Sequence, residues 1–182
     1  MEKEAVWIED MAEAFEQIDA NWKAYVDISK GDILFVPLKE EDLEEYSQEE
    51  KDLFYEIDAL KQYIQLPTQK ELREFDIMEE YAQGCANLGY KKHLMFALNN
   101  TKPFRNFRAQ LRLLGLEEDY AYYRYMAFAA KARIWCKEND VPYQVDSDEI
   151  RDYFKEIEED EQFEQDFKDF EDSLDEFEYD DE

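Results

Sequence analysis

The sequence is poor in the residues that build turn-rich or disulfide-linked scaffolds. Its 182 residues include four glycines, four prolines, two cysteines and one histidine. So few turn formers argue against a strand-and-turn architecture, and two distant thiols, Cys85 and Cys136, do not make a disulfide framework. No zinc spacing and no glycine-rich phosphate loop is present. We therefore expect no metal and no cofactor.

Long apolar runs are also missing. No stretch approaches the ~20 residues that a membrane-spanning helix requires. The first residues, Met1-Glu2-Lys3-Glu4, lack the basic and then apolar order of a signal peptide. Together with the unpaired thiols, these features predict a cytoplasmic protein without a membrane partner.

Charge is abundant but unevenly distributed. The formal net charge is −28, of which residues 1–86 carry −16, residues 87–137 carry +7 and residues 138–182 carry −19. Such a polyanion repels nucleic acid through its mean field, and the basic middle block is the exception. A hydrophobic fraction of 45% argues against disorder of the whole chain.

The spacing of the apolar residues and the sequence signals for helix ends predict an α+β, mostly helical fold. Residues 22–28 and 33–36 indicate a hairpin around Gly31, and residues 63–66 suit a third strand. Two capping boxes, at Ser47 and Thr68, mark helix starts. We expect a small antiparallel hairpin or three-stranded sheet packed on five to six helices, in one domain over residues 1–140. The predicted helices cover about residues 5–20, 47–61, 68–83, 90–98, 102–114 and 117–138.

An acidic amphipathic tail, residues 141–182, follows this domain. Five apolar side chains are spaced by 4, 3, 4 and 3 residues, which is coiled-coil spacing on an otherwise acidic helix. We call them the phenylalanine seam: Phe163, Phe167, Phe170, Leu174 and Phe177. The seam would dock on the protein's own domain or on a partner or second copy, or the tail would be partly disordered.

Candidate catalytic residues are scarce. Ser47 and Ser147 suit helix caps, Ser29 suits a turn, and His93 has no acid or nucleophile beside it in sequence. Asp146-Ser147-Asp148-Glu149 lacks the glycine and spacing of a calcium loop, and capping explains it. We therefore predict that the chain is not an enzyme, although its 49 carboxylates leave carboxylate chemistry open.

The basic middle block forms a more specific pattern. In the helix over residues 102–114, three arginines fall on one face and the apolar residues on another. We define the basic face as Lys102, Arg105, Arg108, Arg112 and Arg124. These cations would pair with the protein's own acids, including the tail, bind an acidic protein or phosphorylated ligand, or contact nucleic acid with nearby tyrosines stacking.

Three segments resemble a bacterial group known as uncharacterised protein family 0158. They are residues 25–32, residues 63–67 with Met78, and the Ala97–Arg108 segment with its Phe104-Arg105-Asn106-Phe107-Arg108 motif, followed by Gly115-Leu116 and a Tyr-rich cluster ending at Arg124. The resemblance covers roughly residues 5–140, and the tail lies outside it. It departs at Tyr120, where the family has tryptophan, and at Asn99-Asn100, where the family linker is richer in glycine. It implies a shared domain centre near Phe104–Arg108 and no particular activity.

These features favour a non-enzymatic protein-interaction module that uses acidic surfaces and the phenylalanine seam. One alternative is a nucleic-acid-binding regulator whose basic helix is masked by the acidic tail. In another, the tail itself mimics nucleic acid, its carboxylates standing for phosphates. A third is an enzyme using carboxylates on an unknown substrate, and a deep pocket with several raised carboxyl pKa values would support it.

Overall fold

The computed structural model describes residues 2–177, apart from the side chains of Phe170 and residues 173–177. It divides between Gln144 and Val145 into two compact units. The first holds a small sheet and seven α-helices, and the described part of the second contains one long helix. The predicted α+β, mostly helical class is confirmed.

The sheet is antiparallel, and its central strand, Trp22–Asp27, lies between the strands Asp32–Pro37 and Tyr63–Gln65. Val26 on the central strand pairs with Ile33 on one side and Ile64 on the other, so the predicted hairpin and third strand are both confirmed. A separate parallel pair joins Val6 to Tyr143, which strands of two residues could not signal in the sequence. The strands are β1 (Val6–Trp7), β2 (Trp22–Asp27), β3 (Asp32–Pro37), β4 (Tyr63–Gln65) and β5 (Tyr143–Gln144).

Local signals set several helix ends. Glu50 and Glu71 complete the capping boxes with Ser47 and Thr68, and Gly115, with φ of 68°, ends the helix that begins at Pro103. The helices are α1 (Ile8–Gln17), α2 (Gln48–Glu56), α3 (Gln69–Leu72), α4 (Glu74–Gly84), α5 (Leu88–Leu98), α6 (Pro103–Leu114), α7 (Glu117–Glu138) and α8 (Asp148–Phe177), with 3₁₀ turns at Glu40–Glu45 and Ile57–Ala59.

Three predicted helices differ from the structure in extent. The helix predicted over residues 5–20 is confined to Ile8–Gln17, because Val6–Trp7 pair with Tyr143–Gln144 as a strand. The segment predicted as one helix over residues 68–83 is broken at Arg73, whose left-handed backbone (φ 52°) separates α3 from α4. The helix predicted to reach Lys61 ends at Glu56 and continues as a 3₁₀ turn. The first unit consequently has seven α-helices, where five to six were predicted.

Helix α7 lies at the centre of the packing. Phe128 meets Phe15 of α1 edge to face at 6.0 Å between ring centroids, and the buried Cys136 thiol lies 3.5 Å from the Met11 sulfur. Burial raises the pKa of the Cys136 thiol to about 12. At the other end of α7, Tyr120 packs on Phe107 at 5.2 Å. Edge-to-face aromatic packing therefore joins α1 and α6 to α7.

The hairpin turn depends on a glycine at a close approach. Gly31 has φ of 73°, and a Cβ placed there would lie 2.4 Å from the carbonyl oxygen of Ala5. The adjoining Asp27 is buried and accepts hydrogen bonds from the backbone N–H of Ser29 at 3.0 Å and its hydroxyl at 2.6 Å. The turn thus fits against the N-terminal segment only without a side chain at residue 31.

We predict that Gly31→Ala lowers the free energy of unfolding by about 2–4 kcal/mol, since it adds a clash with backbone to the left-handed penalty. Gly115→Ala is the matched control. It has a similar φ of 68° but open space around its Cβ, so about 1 kcal/mol is expected. Urea unfolding followed by circular dichroism measures both, and equal losses would contradict the role given to the Ala5 contact.

Candidate functional site

Helix α6 presents its arginines to solvent and buries part of its apolar face. Phe107 and Leu111 are buried, whereas Arg105, Arg108 and Arg112 are exposed. Arg112 Nε lies 3.2 Å from Glu117 Oε1. Among the described residues, no ion pair involves Arg105 or Arg108. Two arginines in successive turns therefore remain available to an anionic ligand.

Two members of the basic face, Lys102 and Arg124, differ in placement. Lys102 is exposed with a left-handed backbone (φ 55°) just before α6. Arg124 is half-buried on α7, where its Nε donates to Glu74 Oε1 at 2.6 Å and its Nη1 lies 3.4 Å from Glu16. Its guanidinium also lies 4.8 Å from the centroid of the Phe128 ring. Arg124 thus links α1, α4 and α7, and the exposed part of the basic face is Lys102 with the three arginines of α6.

We predict that Arg124→Ala lowers the free energy of unfolding by about 2–4 kcal/mol, because it leaves the half-buried Glu74 without its cation. Arg112→Ala removes an arginine whose side chain is 76% exposed and should cost under about 1 kcal/mol. Thermal and urea unfolding measure the loss of stability in each of the two variants. A smaller loss for Arg124→Ala than for Arg112→Ala would refute the structural role.

Exposed apolar side chains also occur on α5 and α6, and the sequence reasoning did not find them. Leu88 and Phe96 of α5 are each 72% exposed, and Leu113 of α6 is 76% exposed. Leu88, Lys92 and Phe96 are four residues apart in sequence, so they lie along one exposed stripe of α5. A groove of about 300 Å³ between α5 and α6 is lined partly by Phe96, Ala97 and Ala109. The i, i+4, i+8 spacing of these residues is the sequence signal that could have predicted the stripe.

The second unit is the long helix α8. It carries fifteen carboxylates against three Lys or Arg. Ile150 and Phe154 near its start are buried, whereas every residue from Glu158 to Asp169 is exposed. The tail was predicted to be helical, and the structure has a helix there from Asp148 to Phe177.

The structure describes two of the five seam side chains. Phe163 is 71% and Phe167 is 54% exposed. The side chains of Phe170, Leu174 and Phe177 lie outside the described part. Gln162 and Gln165, off the seam, donate to Asp166 and Asp169 one turn later. The described seam therefore places two uncovered aromatic rings on a strongly anionic helix.

The residues considered for catalysis have ordinary structural surroundings. Ser29 completes the turn with Asp27, Ser47 caps α2, and the hydroxyl of Ser147 accepts from the backbone N–H of Ile150 at 3.4 Å. His93 is exposed on α5. Within residues 2–177, no group of three or more His, Cys, Asp or Glu side chains is arranged to hold a metal ion.

No family model, no curated protein and no solved structure matches this chain. The resemblance to family 0158 therefore stays a prediction from its three segments. Among the described residues, no helix combines the length and apolarity needed to cross a membrane.

Proposed function

We propose that the protein is a non-enzymatic interaction module that binds a partner protein through α8. The observation that carries the proposal is the exposure of Phe163 and Phe167 on an acidic helix. We also propose a cytoplasmic location, which the free thiols of Cys85 and Cys136 support.

Burial of the two uncovered rings, Phe163 and Phe167, would favour binding. Moving one phenylalanine side chain from water into an apolar site yields about 1.5–3 kcal/mol. Aromatic side chains in the centre of an interface often dominate its affinity. Phe163 and Phe167 are one helical turn apart, so a single groove can receive both. Their burial by a partner would supply most of the binding free energy.

The charge of α8 indicates the chemistry of that partner. Its fifteen carboxylates lie on the same helix as the seam, so a complementary groove has an apolar floor and Lys or Arg at its rim. Such complementarity raises the association rate and excludes acidic competitors more than it adds affinity. We therefore expect a basic partner that accepts an amphipathic helix.

The test replaces both rings in the full chain. Phe163→Ser with Phe167→Ser should weaken binding at least about thirtyfold, which corresponds to about 2 kcal/mol. Gln162→Ser with Gln165→Ser changes the same helix away from the seam and should leave affinity within about threefold, under about 0.7 kcal/mol. Quantitative affinity purification identifies partners, and calorimetric titration of the purified partner gives the affinities.

Circular dichroism of both double variants controls for loss of helix. If the phenylalanine variant remains helical and retains the partner at full affinity, the seam is not the binding element. If both variants lose the partner equally, the effect belongs to the helix as a whole, and the role of the two rings is likewise refuted.

The exposed arginines of α6 favour a second candidate, nucleic-acid binding through the basic face. Arg105 and Arg108 are exposed and in no ion pair among the described residues, and the exposed Phe96 on neighbouring α5 offers a ring for stacking. The charge of α8 opposes such binding through its field. A chain ending at Glu158 removes most of that charge and retains the buried Ile150 and Phe154.

We expect the shortened chain to bind single-stranded oligonucleotides with an affinity that falls as salt rises. Replacing Arg105, Arg108 and Arg112 by alanine should reduce the slope of log K against log salt by about two to three. Replacing Lys39, Lys61 and Lys70 by alanine removes the same charge elsewhere and should change the slope by less than about one. Fluorescence anisotropy measures both, and absence of binding at low salt would eliminate this candidate.

A further inference from the structure

A cleft of about 350 Å³ lies where the end of α4, the start of α5 and the start of α7 meet. Three tyrosines line it, Tyr81, Tyr90 and Tyr123, together with two carboxylates, Glu80 and Asp119. The residues that line the cleft belong to the first unit, and none of them is part of the basic face.

The aromatic wall is held in place by packing and by a hydrogen bond. The Tyr81 ring lies 5.3 Å from Tyr123 and 5.1 Å from Tyr120. Its hydroxyl donates to Asp119 Oδ2 at 2.7 Å. Burial, and then this bond to Asp119, raise the pKa of Tyr81 above its ordinary value, so the hydroxyl stays a donor. Ring and carboxylate are thus oriented together before any ligand arrives.

Electrostatics in the cleft disfavour anions. Asp119 and Glu80 are both exposed on its walls, and no ion pair among the described residues neutralises either. Burial raises the pKa of the Cys85 thiol in the same cleft, Asp119 adds to the effect, and Lys91 opposes it. The thiol therefore remains neutral and contributes a soft surface. Two carboxylates beside three tyrosines form a site with negative potential.

We propose that this cleft binds an alkylammonium cation, carried either by a small molecule or by a lysine side chain of another protein. The negative faces of tyrosine rings attract a cation placed within about 6 Å, and quaternary ammonium ligands are bound in this way. Asp119 and Glu80 supply the charge, and the rings supply the surface that contacts the methyl or methylene groups. The proposal is independent of the proposed function of α8.

Gly84 keeps the cleft open. It lies in the lining, and a Cβ added there would meet no atom within 4 Å. Its backbone is not left-handed, so a side chain can be introduced without conformational strain. Gly84→Leu should therefore fill part of the cleft while removing no existing contact, whereas Gly84→Ala adds one methyl group.

The experiment titrates the full chain with choline and with 3,3-dimethyl-1-butanol, its uncharged isostere, and follows protein NMR shifts. Choline should bind saturably and at least tenfold more tightly than the isostere. Asp119→Asn should weaken choline binding at least fivefold, because it removes the charge and keeps the size of the side chain. Tyr123→Leu should do the same, and Tyr123→Phe should retain binding because it keeps the ring. Gly84→Leu should abolish binding, and Gly84→Ala should not.

Tyr122→Leu is the control, since Tyr122 neighbours Tyr123 but does not line the cleft. A peptide containing trimethyllysine distinguishes the two sources. Tighter binding of the peptide than of choline assigns the site to a protein side chain, and the reverse order assigns it to a small molecule. Equal affinity for choline and its isostere, no choline binding at millimolar concentration, or full binding by folded Asp119→Asn would each overturn the proposal.

Discussion

The constraint on which this structure depends is that an excess of 28 negative charges must remain hydrated while a chain of 182 residues builds a core. Ionised carboxylates are costly to bury without partners. Among the described residues, Asp27 is the one acid that is buried, and Ser29 satisfies it through its backbone N–H and its hydroxyl. The remaining described acids lie at half-buried or exposed positions, and the core consists of apolar and aromatic side chains together with the buried Arg133.

The same constraint accounts for two different uses of the basic residues. Arg124 is surrounded by Glu16, Glu74 and the Phe128 ring, so its charge joins helices within the first unit. Arg105 and Arg108 make no such pairs in the described chain and face solvent. The charge of a residue in a basic segment therefore does not define its role; its distance from a carboxylate does. The exposed arginines and the tyrosine cleft of the first unit and the exposed rings of α8 are built from different residues, which differ in charge and apolarity.

Sequence reasoning succeeded where the determining interactions are local. The bounds of α7 follow from Gly115 before it and the loss of the apolar pattern after Glu138, and the capping boxes depend on residues three apart. The hairpin follows from β-branched residues around Gly31. The first two segments that resemble family 0158 pair with each other, Val26 opposite Ile64.

The features that could not be predicted from the sequence depend mainly on contacts between distant residues. The pairing of Val6 with Tyr143 joins strands far apart in the chain, and the break at Arg73 follows no glycine or proline signal. Arg124 was grouped with the α6 arginines by charge, although its partners come from α1 and α4. The tyrosine cleft forms where three helices meet, so no single sequence segment indicates it. The exposure of Phe163 depends on the tertiary structure, because a periodic apolar residue can be either buried or exposed.

We propose that Phe163 and Phe167 on α8 meet a partner protein. The most direct measurement places the photoreactive residue p-benzoylphenylalanine at position 163 of the full chain, irradiates living cells, and identifies the adducts by mass spectrometry. Position 55 is the control, because Tyr55 is 70% exposed and lies outside α8. The account predicts a discrete protein adduct at position 163 that is missing at position 55. No adduct at position 163, or the same adducts at both positions, would contradict it.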